Sequence, residues 1–222
     1  MVRGGYAATT DTLSQSYLWM FVGLTLSGGV AYFVASHQSF SSSLYSNGLL
    51  FYGLIILELL LVFFLSLRIS VMSYSTALVT FLAYSLLNGV TISSIFQLYT
   101  TTSIAVVFFV SALMFGAAAL YGHTTKHSLG RIGSLGFVAL IGIIIGWLVN
   151  YLLKSPSLDY WLSFLAVIVF VGLTAYDTQK IEQLEYTSDS QNLGIIGALT
   201  IYLDFINIFL NLLRIFGRQR NE

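Results

Sequence analysis

The chain has no cysteine, a single proline and only 8% charged residues among its 222. Without cysteine there are no disulfides, no thiolate catalysis and no cysteine-ligated metals. Basic and acidic residues balance at nine each, so no basic surface invites nucleic acid. A soluble domain of this length would carry about 25% charged residues. Here the shortage goes with 57% hydrophobic residues and a mean hydropathy of +0.85. One proline and few polar linkers leave little for a separate soluble domain. This composition belongs to an integral membrane protein, whose first partner is the lipid bilayer.

What is present is a set of seven apolar segments, each long enough at about 1.5 Å per residue to cross a core of about 30 Å. They run over 17–36, 48–68, 76–99, 104–121, 132–153, 158–181 and 193–216. The expected organisation is a polar N-terminal tail (1–16), a seven-helix membrane domain (17–216) and a short C-terminal tail (217–222). The stretch MVRGGYAATTDTLSQS precedes the first apolar run, whereas a cleavable signal peptide places its apolar core near the start. The first helix is therefore expected to be an uncleaved anchor. The connections read as loops: HQSFSSSLYSN, ISVMSYS, TTS, GHTTKHSLGR, KSPS and EQLEYTSDSQN. Seven spans put Arg3, Arg68, Lys126, Arg131 and Lys180 on one side and Lys154, Arg214, Arg218 and Arg220 on the other. That balance does not fix orientation, and a re-entrant last segment stays open.

Four charges interrupt these segments: Glu58, Arg68, Asp177 and Asp204. Each costs roughly 2.5–3.5 kcal/mol at a helix centre, about 10–14 together if unpaired. In an up-down bundle, segments two and six run in one direction and segment seven starts where six ends. Arg68 then closes segment two, Asp177 lies ~6 Å before the end of segment six, and Asp204 lies ~16 Å into segment seven. These three are expected in one membrane half, with Glu58 ~15 Å deeper than Arg68 and outside their cluster. Two adjacent carboxyls in a low dielectric share one proton rather than both ionising, and Arg68 would clamp one of them. The same pair, Asp177 and Asp204, offers oxygen ligands to a hard cation such as calcium.

Segment seven carries Thr200, Asp204, Asn207, Asn211 and Arg214 at gaps of 4, 3, 4 and 3, which places all five on one helix face. Gly197 extends the stripe. A lipid-facing helix has no use for such a line, so this helix is expected inside the bundle. Thr200, Asn207 and Asn211 serve there either as interhelical glue or as the wall of a wet path. Arg214 reads as a snorkelling anchor. Asn88-Gly89 and Asn150 are candidate partners of Glu58. Gly142 and Gly146 form a small-xxx-small pair suited to close packing. His123 and His127, four apart, would face one metal only if helical and joined by a third ligand.

Several function classes fall away. A retinal protein needs a lysine in the last helix, which has none. A serine protease within the membrane needs a histidine at depth, and all three histidines fall in loops. An aspartyl protease would use Asp177 and Asp204; Tyr176-Asp177 suits it, but IYLDF around Asp204 lacks the glycines. No enzyme activity and no cofactor is expected. A passive ion path and a regulator that binds other membrane proteins remain, with the aspartyl protease as a minor alternative.

The stretches GLTAYDTQKIEQLEY and GIIGALTIYLDFINIFLNLLRIFG strongly resemble the Bax inhibitor-1 family of transmembrane Bax inhibitor motif proteins, especially its bacterial members. SLLNGVTISSIFQLYT and MFGAAALYGHTTKHSLGRIGSLGFVALIGIIIGWLVN extend the match over nearly the whole chain. The resemblance implies a seven-helix bundle with the last helix central and wrapped by the other six. It implies a cytoplasmic N-terminus and a pH-sensitive calcium leak. The family's paired aspartates match Asp177 and Asp204, its latching arginine matches Arg68, and its second-helix glutamate matches Glu58. Bacterial relatives are also linked to modulation of membrane quality-control proteases, the alternative role through protein partners.

Overall fold

The computed structural model describes residues 12–187 and 190–220, the last three of the first stretch as backbone only. Among the described residues nine α-helices follow one another: α1 (Thr12–Ser36), α2 (Gln38–Ser46), α3 (Gly48–Arg68), α4 (Tyr74–Ile92), α5 (Ile95–Leu98), α6 (Thr101–Thr124), α7 (Gly130–Leu153), α8 (Pro156–Thr187) and α9 (Leu193–Phe216). Seven stretches of the described residues are long and apolar enough to span a membrane, with α4 and α5 together making the third. The last of them, α9, has 24 residues, about 36 Å of helix, which is a full crossing rather than a re-entrant loop.

The apolar runs set the spans, and local hydroxyl and amide chemistry sets their ends. Ser73 and Thr100 cap α4 and α6 by accepting from the amides of Thr76 and Ser103. Ser93 and Ser94 return their hydroxyls to the carbonyls of Val90 and Thr91, and the third span breaks there. The tract HQSFSSSLYSN, expected as a loop, folds instead into α2. It buries Ser41 and Leu44 and is pinned by Tyr45 Oη, 2.5 Å from Ser93 Oγ.

α9 is the central helix. Of its apolar window 61% is buried inside the protein, against 6% for the second span. α1, α6 and α8 pack closely on it and α4 more lightly, while α3 packs on α4 and α7 on α8. α3 and α7 thus complete the ring of six but stand off from α9, and a cavity lies between. Their outer faces expose Leu60, Phe63, Leu135 and Leu148, as suits helices that face lipid.

Glycine permits two of the closest approaches. A Cβ on Gly122 would fall 2.2 Å from the Ala175 carbonyl oxygen, and one on Gly89 2.6 Å from that of Ser27. The expected Gly142/Gly146 pair is only half right. Gly146 abuts Leu162, but nothing lies within 4 Å of a Cβ on Gly142. Gly122→Ala should therefore lower stability by about 1–3 kcal/mol through overpacking against backbone, and Gly142→Ala should be close to neutral. Thermal unfolding of both variants in detergent checks the contrast.

Candidate functional site

Depth decides which charges meet. α8 continues two turns past the expected end, so Asp177 lies ten residues, about 15 Å, before Thr187. Asp204 lies eleven residues, about 16 Å, after Leu193. The two helices run antiparallel, so their acids arrive at one level. At the same end of the bundle, buried Asn192 donates to the carbonyls of Ile69 (2.6 Å) and Met72 (2.8 Å), which ties the end of α3 to the start of α9. Glu58, ten residues below Arg68, consequently shares the aspartates' depth. The expected arrangement is reversed: Glu58 is level with the pair and Arg68 is not.

The carboxyls of Asp177 and Asp204 lie close enough to interact directly. Two carboxyls so placed in a low dielectric favour sharing one proton. Asp204 is buried and within reach of the Thr174 hydroxyl, while its Oδ2 is sealed without a partner. Asp177 is half-buried and opens to the cavity. That cavity has a volume of about 1010 Å³ and is lined by Glu58, Asn88, Asp177, Lys180, Thr200, Asp204 and Asn207 among apolar residues of five helices. Arg68 is exposed at the end of α3, outside the cavity, and forms no salt bridge with a described residue. The cation on the cavity wall is Lys180, whose ammonium lies 5.6 Å from the centre of the Tyr176 ring.

The polar stripe of α9 faces α8, from Asp204 at Thr174 to Arg214 at Ser163. Thr200, Asn207 and Asn211 each donate to a carbonyl four residues earlier, at 2.8–2.9 Å. Thr200 and Asn207 line the cavity as expected, whereas Asn211 is buried away from it. Arg214 is no free anchor: Nε lies 3.8 Å from Asp159 Oδ2, and the guanidinium sits over the Trp147 ring at 5.3 Å.

Glu58 opens a second polar system that sequence reasoning reached only in part. Asn88 Nδ2 donates to Glu58 Oε1, and Thr91 Oγ1 donates to Oε2 at 2.6 Å. Asn88 Oδ1 accepts from Tyr202 Oη at 2.6 Å. Tyr202 Oη is in turn 2.6 Å from Ser27 Oγ, which donates to the Ser85 carbonyl at 2.7 Å. The chain joins α3, α4, α9 and α1 through the core. Tyr202 and Ser27 carried no sequence signal beyond a phenol and a hydroxyl inside apolar runs. Asn150, the other candidate partner of Glu58, instead accepts from the Ser155 amide at the end of α7.

The remaining candidates are local. His123 closes α6 and lies 3.4 Å from Glu182, while His127 follows the helix end, so the two do not share a helical face. Gln179 holds their loop by donating to the His127 carbonyl and accepting from the Leu129 amide. Among the described residues no group of three His, Asp or Glu side chains could hold a metal ion. Calcium favours about six to eight oxygen ligands, more than Asp177 and Asp204 supply by themselves.

Removing the phenol in Tyr202→Phe leaves Asn88 without its donor and should cost about 0.6–2 kcal/mol. Asn88→Leu strips a donor from the Glu58 carboxyl as well and should cost more, about 1–3 kcal/mol. Thermal unfolding in detergent orders the two.

With this geometry in place, comparison with known proteins gives a consistent answer. The family model described as "Inhibitor of apoptosis-promoting Bax1" matches residues 9–221. The chain is 50% identical over 215 residues to the inner membrane protein YbhL of Escherichia coli K12, covering 94% of this chain and 92% of that one. It is 38% identical over 215 residues to an uncharacterised protein of Borreliella burgdorferi, at 95% and 93% coverage. Identity to the uncharacterised protein RP147 of Rickettsia prowazekii is 39% over 213 residues, at 92% and 88% coverage. A seven-span bundle, a match over nearly its whole length and half-identity to a full-length relative together make this chain a member of the Bax inhibitor-1 family.

Proposed function

We propose that this protein is a passive, pH-sensitive cation pathway, with calcium as the cargo it favours. The observation that carries the reading is the Asp177–Asp204 contact on the wall of a cavity that also holds Glu58. Carboxyl oxygens suit a hard cation, and three acids about 15 Å below one end of their helices sit near the middle of a bilayer core. The E. coli relative's description as an inner membrane protein supports placement in a bacterial cytoplasmic membrane. The family resemblance supports an N-terminus on the cytoplasmic side.

The pair is the sensor. With a proton on each carboxyl it is neutral and offers a cation nothing beyond dipoles. When one proton leaves, the pair becomes a singly charged acceptor that attracts a cation. Cation flux should therefore rise as pH rises through the pair's titration. Glu58 adds a second acid on the path, and Thr200, Asn207 and Asn88 supply polar wall. Lys180 opposes cations by placing a positive charge on the same cavity. Arg68 has no part in the gate in this arrangement.

Calcium entry into dye-loaded proteoliposomes between about pH 5 and 8, where folded proteins are generally most stable, tests the reading. Wild-type flux should climb with pH, and Asp204→Asn should flatten the profile. Lys180→Gln should raise flux severalfold, and Arg68→Gln should leave the pH profile unchanged. Flux no greater than that of empty liposomes, or a profile that survives Asp204→Asn, overturns the proposal.

A further inference from the structure

The C-terminal tail builds a site that the cation path does not use. After α9 the chain turns back and pairs with the connection between α5 and α6. The Thr100 amide donates to the Arg218 carbonyl (3.1 Å), the Arg218 amide to Ser103 Oγ (2.9 Å), and the Arg220 amide to the Leu98 carbonyl (2.9 Å). The backbone of Arg218 is thus clamped on both sides beside a cluster of hydroxyls, Thr100, Thr102 and Ser103. Its side chain lines a groove of about 730 Å³ between α6 and α9 and forms no salt bridge with a described residue. Among the described residues no carboxylate lines that groove.

Below the polar end the wall changes character. Val106 and Val110 of α6 and Leu212 and Phe216 of α9 continue the groove into the spanning region. From Ser103 to Val110 the path along α6 is about 10 Å. One end therefore offers an exposed arginine on a clamped backbone beside hydroxyl groups, and the other offers an apolar slot at acyl-chain depth. Guanidinium and hydroxyl donors match the oxygens of a phosphate, and basic pockets between spanning helices are where anionic headgroups bind. Free phosphate would leave the apolar half unfilled. A partner's spanning helix would leave the clamped arginine without a counter-charge.

We propose that the groove between α6 and α9 is a binding site for one anionic phospholipid, its phosphate held at Arg218, Thr102 and Ser103 and an acyl chain lying along Val106, Val110 and Leu212. The site lies at the C-terminal end of α9, about 18 Å along the helix from Asp204, and the inference stands apart from the cation pathway.

Native mass spectrometry of the full chain, released from detergent with added phosphatidylglycerol or phosphatidylcholine, tests the site. Wild type should retain one phosphatidylglycerol in preference to phosphatidylcholine. Arg218→Ala should lower phosphatidylglycerol retention about tenfold, as losing a charge-assisted contact implies. Val110→Trp should fill the slot and reduce retention of both lipids. Inorganic phosphate should not compete at concentrations where phosphatidylglycerol binds. Helicity and elution volume, compared among the variants, confirm that each is folded. Equal retention of the two lipids by wild type, or Arg218→Ala retention equal to wild type, overturns the proposal. So does displacement by phosphate, or retention unchanged in a folded Val110→Trp.

Discussion

The packing of α8 against α9 is the constraint from which the rest of the structure follows. Two antiparallel helices must hold Thr174 and Asp177 against Asp204 near the middle and Ser163 and Asp159 against Arg214 near one end. The contacting residues lie eleven apart on α8 and ten apart on α9, so one straight register serves both ends. Small side chains on α8 (Ser163, Ala166, Thr174 and Thr178, all fully buried) let the helices approach, the usual device where lipid removes any hydrophobic drive between spans. With α8 and α9 fixed, α1 and α6 close the remaining sides. The cavity is left where α3 and α7 stand away.

In hydrocarbon the polar residues divide by chemistry. Thr and Asn carry donors, so Thr174, Thr200, Asn207 and Asn211 place those donors on carbonyls four residues back in their own helices. A carboxylate cannot do this. It only accepts, and within a helix the backbone amides are already engaged. Asp177, Asp204 and Glu58 must therefore look across to another helix or carry a proton. Asp204 finds Thr174 and its fellow acid; Glu58 finds Asn88 and Thr91. Stripe position alone does not separate these cases, which is why Asn211 shares a face with Asp204 and yet lines nothing.

Most of the fold was legible because apolar run length translates directly into a span. The ranges 48–68 and 193–216 are helices α3 and α9 to the residue. Two kinds of feature were not legible. Polar residues that continue a helix beyond the bilayer look like loop, so Ile181 seemed to end a helix that reaches Thr187, and the aspartates seemed offset in depth. The stretch QSFSSSLYS likewise reads as a linker, although Leu44 and Tyr45 suffice to seat it as a surface helix. The acids Glu58, Asp177 and Asp204 were visible as costs. Their partners were harder to see, because Tyr202 and Ser27 are common in apolar helices and acquire meaning only when four helices converge.

The same depth argument explains why the charged residues sort into three sets. Residues near helix ends can reach water or headgroups, so Arg68 stays exposed. Arg214, within the last turn of its helix, stacks on Trp147 and pairs weakly with a half-exposed Asp159, at a separation of 3.8 Å; such a pair contributes about 0–1 kcal/mol. Residues about ten positions in have neither water nor headgroup and must be met by protein, as the three acids are. Lys180 lies between these limits, about 10 Å from the end of α8, and its aliphatic stem carries the ammonium over Tyr176 toward the cavity. A cation entering from that end would meet this positive charge before the aspartates. The order of charges along the wall, a basic residue first and acids at the centre, follows from where helix α8 stops, two turns beyond the last residue of its apolar run.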